Sequence, residues 1–316
     1  MFMTRALQCA CCLSLVTAAG CTGASSAGSD DGRLEVLTSF YPLEYAVEQI
    51  GGEHVVSNNL TQPGTEAHDL ELTPRQVLEV KEADQLVYLK DFQPAVDDAA
   101  AGAGDAAFDV APAAHLDPES AEGEGGHDHE GHDHGEHEGH NHGGMDPHFW
   151  LDPTRYADVG EAIGDRLAEA DPEHAADYRA NAKDFAKRLH RLDRQLSSGL
   201  ADCERHELVT GHASFGYFAD RYGFTQEPIA GLSSHDEPSP QEMAELIHHI
   251  RDEGIETVYT EPQLPAALAE TIADDADATV AVLDPIEGLS DASEGANYFQ
   301  VMRSNLAAVQ EGAACS

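Results

Sequence analysis

Residues 171–202 read DPEHAADYRANAKDFAKRLHRLDRQLSSGLAD, and this stretch most restricts what the chain can fold into. It opens on Asp171-Pro172 and reaches Gly199 near its end. Tyr178, Phe185, Leu189, Leu192 and Leu196 recur at spacings of three, four and seven, the period of one apolar helix face. A single helix of about thirty residues is about 45 Å long. It predicts a spine joining two lobes, and a rigid link of that kind restricts hinge opening more than a loop would.

Strands and helices alternate on both sides of this spine. Before it, LEVLTSF (34–40) predicts a strand, YPLEYAVEQIGG a short helix, and EHVVSNNL a second strand. TPRQVLEVKEA (73–83) then carries a Thr cap, a Pro at the first helical position and an apolar stripe. DQLVYLK and FDVAP follow as further strands. After the spine, HELVTGH leads into helical SFGYFADRYG. SPQEMAELIHHIRDEG is an amphipathic helix with Ser239 and Pro240 at its start and Glu242 in its first turn. IETVYTE is a strand, LPAALAETIADDAD a helix, ATVAVLDP a strand, and NYFQVMRSNLAAVQEG a last helix. This alternation predicts an α/β fold with mostly parallel sheets. The chain of 316 residues suffices for two domains. The expected division is 34–170 and 203–316 for the lobes, with 171–202 as the link.

The first 21 residues have the composition of an export signal. MFMTR supplies a short basic start at Arg5, and ALQCACCLSLVTAAGC an apolar segment ending in small residues. That segment is short for a membrane span, and no other apolar run of that kind follows. Ala18 to Cys21, AAGC, resembles a lipoprotein cleavage box, which makes Cys21 the expected lipidated N-terminus of a protein held on the outer face of the membrane. Residues 22–33 are small and polar, as a flexible tether should be. Cys9, Cys11 and Cys12 would leave with the signal. Cys203 and Cys315 then remain as an even pair in an oxidising compartment, where a disulfide is expected.

The formal net charge is -42, from 17 Lys+Arg against 59 Asp+Glu. That sign opposes nucleic-acid binding, whose affinity comes from neutralising phosphates. It attracts cations. A surface this acidic also suits high external salt, which screens the self-repulsion.

Four short stretches place a metal-capable residue beside a strand end or a tight turn. His68 lies in PGTEAHDLELTP, between a strand and a capped helix. His148 lies in GGMDPHFWLDP, before an aromatic pair and a Pro that would start a helix. His212 stands at the strand-to-helix junction of VTGHASFGYFADRYG, and Asp284 at the carboxyl end of the strand in VAVLDPIEG. Ligands of open α/β lobes sit at the carboxyl ends of strands. Three imidazoles and one carboxylate, two from each lobe, form a four-coordinate set suited to Zn2+ in the interlobe cleft. Mn2+ prefers a more oxygen-rich set. A filled shell of this kind leaves no open position for an activated water, which points to carriage rather than hydrolysis. Glu66 and His235 are weaker, accessory candidates. Ser214 lies near His212, but HASFG is not a nucleophile elbow. There is no Walker A run, dinucleotide fingerprint or HExxH helix, so no enzyme class is supported.

The chain from about Leu34 onward resembles the solute-binding proteins of zinc and manganese ABC transporters, of the high-affinity zinc-uptake type. The resemblance rests, in order, on PGTEAHDLELTP, MDPHFWLDP, GHASFGYFADRYG, YTEPQ and VLDP. It implies two Rossmann-like α/β lobes joined by one long helix, with a metal site between them. The family's three histidine ligands fall on His68, His148 and His212, and its fourth, acidic position on Asp284. In some zinc members water takes that fourth place, so Asp284 or water completes the set. The resemblance further implies a monomeric receptor that captures Zn2+ outside the cell and passes it to an ABC permease. The alternative is an extracellular zinc-storage or adhesin-like surface protein.

A showier run precedes His148. His127, His129, His132, His134, His137, His140 and His142 are mixed with Gly, Asp and Glu in 123–144. The run has no apolar periodicity, so it is expected to be a disordered loop. Its histidines suit weak, geometrically varied Zn2+ binding in an accessory role.

Overall fold

A computed structural model describes residues 32–117, 145–232 and 238–316. Cys21 and the leader, the histidines from His127 to His142 and His235 lie outside the described residues. The first half runs β1 (Leu34–Thr38), α1 (Tyr41–Gly51), β2 (Val55–Asn59), α2 (Pro74–Glu82), β3 (Gln85–Tyr88), α3 (Pro94–Ala103), β4 (Ala107–Asp109) and α4 (Ala111–Ala114). Two helices follow, α5 (Pro153–Ala170) and α6 (Ala175–Gly199). The second half runs β5 (Glu207–Thr210), α7 (Gly216–Tyr222), β6 (Thr225–Pro228), α8 (Pro240–Glu253), β7 (Thr257–Thr260), α9 (Ala267–Ala276), β8 (Thr279–Val282) and α10 (Tyr298–Gly312).

The strands form two four-stranded sheets, ordered β2-β1-β3-β4 and β6-β5-β7-β8, and every pairing is parallel. Parallel sheets need both faces covered, and successive residues along a strand point to opposite faces. Neighbouring residues accordingly enter different cores. Val36 and Val87 face a central core while Leu37 and Leu86 face the outer core of the first lobe. Leu208 faces the central core and Val209 the outer core of the second lobe.

Local chemistry fixes where helices begin. Thr73 caps α2: its Oγ1 accepts the Gln76 N–H at 3.3 Å, and Gln76 Oε1 accepts the Thr73 N–H at 3.0 Å. Ser239 and Glu242 make the same reciprocal pair at α8, at 3.3 and 2.7 Å. Each such box satisfies two helix-end donors that would otherwise lack a partner.

The long helix is shorter than the apolar period suggests. α6 spans 25 residues, about 38 Å at the usual rise. The residues from Asp171 to His174 instead turn the chain out of α5. The Asp171 N–H donates to the Leu167 carbonyl at 2.9 Å, and its carboxylate accepts from the Tyr178 hydroxyl at 2.8 Å. Nor is the spine a lone helix, because α5 packs along it. A Cβ on Gly160 would meet Phe185 at 2.8 Å, and one on Gly164 would meet Ala182 at 2.5 Å. Glycine at these two positions is what lets the helices close.

The central core is continuous from α1 and β1, through α5 and α6, to α7 and α10. The lobes therefore share one apolar interior instead of meeting across a solvated linker. Arg221 of α7 also grips Asp193 of α6 through two hydrogen bonds, at 2.9 and 3.0 Å. Cys203, just past α6, is joined to Cys315, just past α10, by a disulfide. No helix among the described residues is long and apolar enough to cross a membrane.

Candidate metal centre

His68, His148 and His212 all arrive in one buried place, none more than 4 % exposed. His68 comes from the loop between β2 and α2, where its backbone N–H donates to Glu66 Oε1 at 3.2 Å and its ring stands edge-on to Phe92. His148 and His212 are held by the same device, one from each side of the cleft. Asp146 Oδ1 accepts both the backbone N–H and the Nδ1–H of His148, at 2.9 and 2.7 Å. Glu261 Oε1 accepts both the backbone N–H and the Nδ1–H of His212, at 3.0 and 2.7 Å. A carboxylate behind a histidine fixes its tautomer and turns the other ring nitrogen inward, as metal-ligating histidines require. Gly211 makes the second of these possible, since a Cβ there would lie 2.4 Å from Glu261 Oε1.

The fourth group in the cluster is Glu287, not Asp284. Glu287 Oε1 lies 3.4 Å from His68 Nε2, 3.2 Å from His148 Nε2 and 3.1 Å from His212 Nε2. The Nε2 atoms of His148 and His212 are 3.4 Å apart. A tetrahedral Zn2+ with bonds of about 2.0–2.1 Å spaces its ligand atoms about 3.3–3.4 Å from one another. Four of the six edges thus sit close to those of a zinc tetrahedron, and His68 Nε2 lies within 4.8 Å of the other two imidazole nitrogens. With Nδ1 donating outward, the inward Nε2 atoms of His148 and His212 and the carboxylate are all acceptors. They converge stably only around a cation, either protons or a metal.

Asp284 does something else. Its Oδ1 accepts the Ile286 N–H at 2.8 Å, and its backbone is clamped by Asn305 of α10 through bonds of 3.0 and 2.7 Å. The Trp150 indole N–H donates to the Pro285 carbonyl at 2.7 Å. Ile286 is fully buried with φ at 60°, a conformation that branched side chains rarely adopt. These contacts hold that strained residue and swing the chain so that Glu287, rather than Asp284, reaches the imidazoles. Spacing alone offered little signal for this, because both carboxylates lie in the same short loop. Asp146 and Glu261 were missed as orienting groups, although each lies inside a motif already singled out.

Electrostatics follow from the packing. Burial opposes charge on His148, but the Asp146 carboxylate, with Glu287 behind it, outweighs that and raises its pKa. His212 is raised well above the ordinary range by Glu261 and Glu287, again against burial. Burial pushes Glu287 up, yet the charge of His68 and the hydrogen bonds from His148 and His212 hold it well below the usual carboxylate range. Asp284 is pushed up to about 6, by burial first and by the nearby charges of Glu261 and Glu287.

A sign follows for metal binding. Ligand imidazoles must be deprotonated, and two of these hold their protons beyond the usual histidine pKa. Binding of Zn2+ at neutral pH is therefore expected to release about two protons, one each from His148 and His212. Affinity should fall as pH falls, and should still be rising with pH above the usual histidine range. Calorimetry in buffers of different ionisation enthalpy counts these protons, and uptake with no proton release would contradict the arrangement.

Glu66 lies outside the group of four and lines a small recess with Glu261, Asp284 and Glu287. Among the described residues a second metal-capable trio, Glu207, Glu227 and His249, brings its atoms within 4.8 Å. That trio is only partly buried, and His249 already bonds Glu207.

The family model described as "Zinc-uptake complex component A periplasmic" matches residues 36–312. The chain is 36% identical over 291 residues to the zinc-binding protein AdcA of Streptococcus pyogenes serotype M6, covering 87% of this chain and 55% of that protein. It thus spans about half the length of those AdcA relatives. It is 34% identical over 311 residues to the high-affinity zinc uptake system protein ZnuA of Bacillus subtilis, covering 96% of this chain and 95% of that one. The Zn(II)-bound ZnuA-like domain of Streptococcus pneumoniae AdcA has a similar structure, with a TM-score of 0.71 and 28% identity over 89% of this chain and 99% of that one.

Proposed function

The chain belongs to the periplasmic zinc-uptake complex component A family, and from that premise we propose that it is the Zn2+-capturing receptor of an ABC importer. It performs no covalent chemistry: the ion is cargo, taken up outside the membrane and handed to a permease. The observation that carries this reading is the convergence of three buried imidazoles on one carboxylate oxygen, at 3.1–3.4 Å, in the cleft between the lobes.

In this reading His68, His148, His212 and Glu287 are the ligands. Asp146 and Glu261 orient two of them. Three nitrogens and one oxygen favour Zn2+ over Mn2+. The shell is filled by protein, which suits retention and later release to a partner better than activation of water. Residues 1–21 serve as export signal, with Cys21 lipidated and 22–33 as tether. The lobes are 34–170 and 203–316, linked by 171–202, and the protein works as a monomer. The histidine-rich segment 123–144 collects Zn2+ weakly and feeds the cleft.

Competitive titration against a zinc chelator tests the reading, using the mature protein with and without 123–144. One tight Zn2+ per chain should survive loop deletion and be lost in His68→Ala. If deletion of the loop alone abolishes tight binding while His68→Ala leaves it intact, the cleft assignment is wrong.

A further inference from the structure

The trio of Glu207, Glu227 and His249 lies on the outer side of the second lobe and shares no residue with the cleft. Glu207 opens β5, and Glu227 belongs to the neighbouring strand β6. In the parallel register Glu227 stands opposite Val209, two residues along from Glu207. Residues two apart share a face of a strand, so both carboxylates leave the sheet on the face that Val209 gives to the outer core. Helix α8 covers that face through Leu246 and Ile250, and His249 stands half-buried beside Ile250 at the rim. Three separate elements thus bring one ligand atom each within 4.8 Å of one another.

Charge at this rim is not balanced by the protein. His249 Nε2 bonds Glu207 Oε1. Among the described residues neither glutamate pairs with a Lys or Arg, and no donor bonds the Glu227 carboxylate. Burial raises the pKa of Glu227, opposed by the charge of His249 and reinforced by that of Glu207. A proton on His249 cancels only one of the two negative charges. A divalent cation matches both carboxylates and takes the neutral imidazole nitrogen as a third ligand. We propose that Glu207, Glu227 and His249 form a second metal site, which takes Zn2+ from solvent and ties α8 to β5 and β6, with water completing the shell. The imidazole sets the preference. Ca2+ and Mg2+ take oxygen ligands, while one nitrogen with two carboxylate oxygens suits Zn2+. One imidazole in place of three, at a half-exposed position, makes this site weaker than the cleft, so it fills afterwards. It stands independently of the cleft assignment, because none of its ligands serves there.

The probe is Zn2+ alone, added to the intact, nitrogen-labelled chain, and the readout is the histidine ring nitrogens by NMR. The resonance missing from His249→Gln identifies His249, which separates this site from the histidines of 123–144 and of the cleft. The His249 Nε2 signal is expected to move to a metal-bound position after the cleft has filled, and excess Mg2+ should leave it there. Glu227→Gln keeps the size of the side chain and removes one ligand charge. It is expected to raise the Zn2+ concentration for half-filling by about tenfold or more, the loss that even a group behind a ligand produces, while the tight cleft ion stays in place. Should that variant not fold, Glu207→Gln, whose amide oxygen still accepts from His249, is read in the same way. A His249 signal that ignores Zn2+, or that titrates identically in wild type and Glu227→Gln, overturns the proposal. So does equal displacement by Mg2+, which would reduce the trio to a diffuse acidic patch.

Discussion

Replacing Glu287 with glutamine is expected to weaken Zn2+ binding by roughly two to four orders of magnitude, since removing one partner of a buried ionic group costs about 3–5 kcal/mol. Glutamine keeps the size of the side chain and one carbonyl oxygen, so the cleft remains filled and the change is mainly one of charge. In the metal-bound state a dipositive ion loses its one anionic ligand. In the metal-free state His148 and His212 lose a carboxylate that raises their pKa. The variant should therefore hold fewer protons before binding and show a flatter dependence of affinity on pH. Chelator competition at several pH values measures both effects. Wild-type affinity in Glu287→Gln, together with loss of tight binding in Asp284→Asn, would return the fourth position to Asp284 and refute the arrangement.

The three histidines are legible in the sequence because each sits in a short loop between recognisable elements. His68 precedes a capped helix, His148 precedes Pro153, and His212 ends a strand. Glu287 is not legible, because its direction depends on a positive φ at Ile286. No propensity encodes that conformation for a branched residue. It is imposed by Asp284 from within the loop, by Asn305 from α10 and by Trp150 from the opposite side of the cleft. Trp150 and Asn305 come from outside the loop, so only tertiary structure reveals the joint effect.

The spine has the same lesson in reverse. The apolar stripe of α6 is plain in the sequence because it is regular. Helix α5 is less plain beyond its Pro153 start, because Gly160 and Gly164 read as poor helix formers. Their value appears only against Phe185 and Ala182, where any side chain would collide. The parallel order of both sheets was expected from the alternation of strands and helices. The continuity of the core between lobes was not, since which lobe a buried residue faces is not a property of its own segment.

Trp150 is where this shared core and the metal centre meet, and its truncation should be among the most damaging changes in the chain. The side chain is fully buried and packs against Phe40 and His148. Its N–H reaches the Pro285 carbonyl, while the Tyr298 hydroxyl donates to its own backbone carbonyl at 2.6 Å. Trp150→Ala opens a cavity and deprives the Pro285 carbonyl of its donor, and large aromatic truncations of this kind cost about 3–5 kcal/mol. In a protein of this size that lowers the melting temperature of the metal-free form by about 6–20 °C. Trp150→Phe separates the two contributions. It keeps most of the packing but loses the N–H, and an unsatisfied buried acceptor costs about 1–3 kcal/mol. Because that acceptor belongs to the loop that delivers Glu287, Trp150→Phe should also weaken Zn2+ binding, whereas a purely packing role would leave affinity unchanged. Thermal melts of the metal-free variants and chelator competition on the same samples give the two readings. Melting within a degree or two of wild type in Trp150→Ala would mean that the lobes do not depend on this junction, and that the loop carrying Glu287 is held by other contacts.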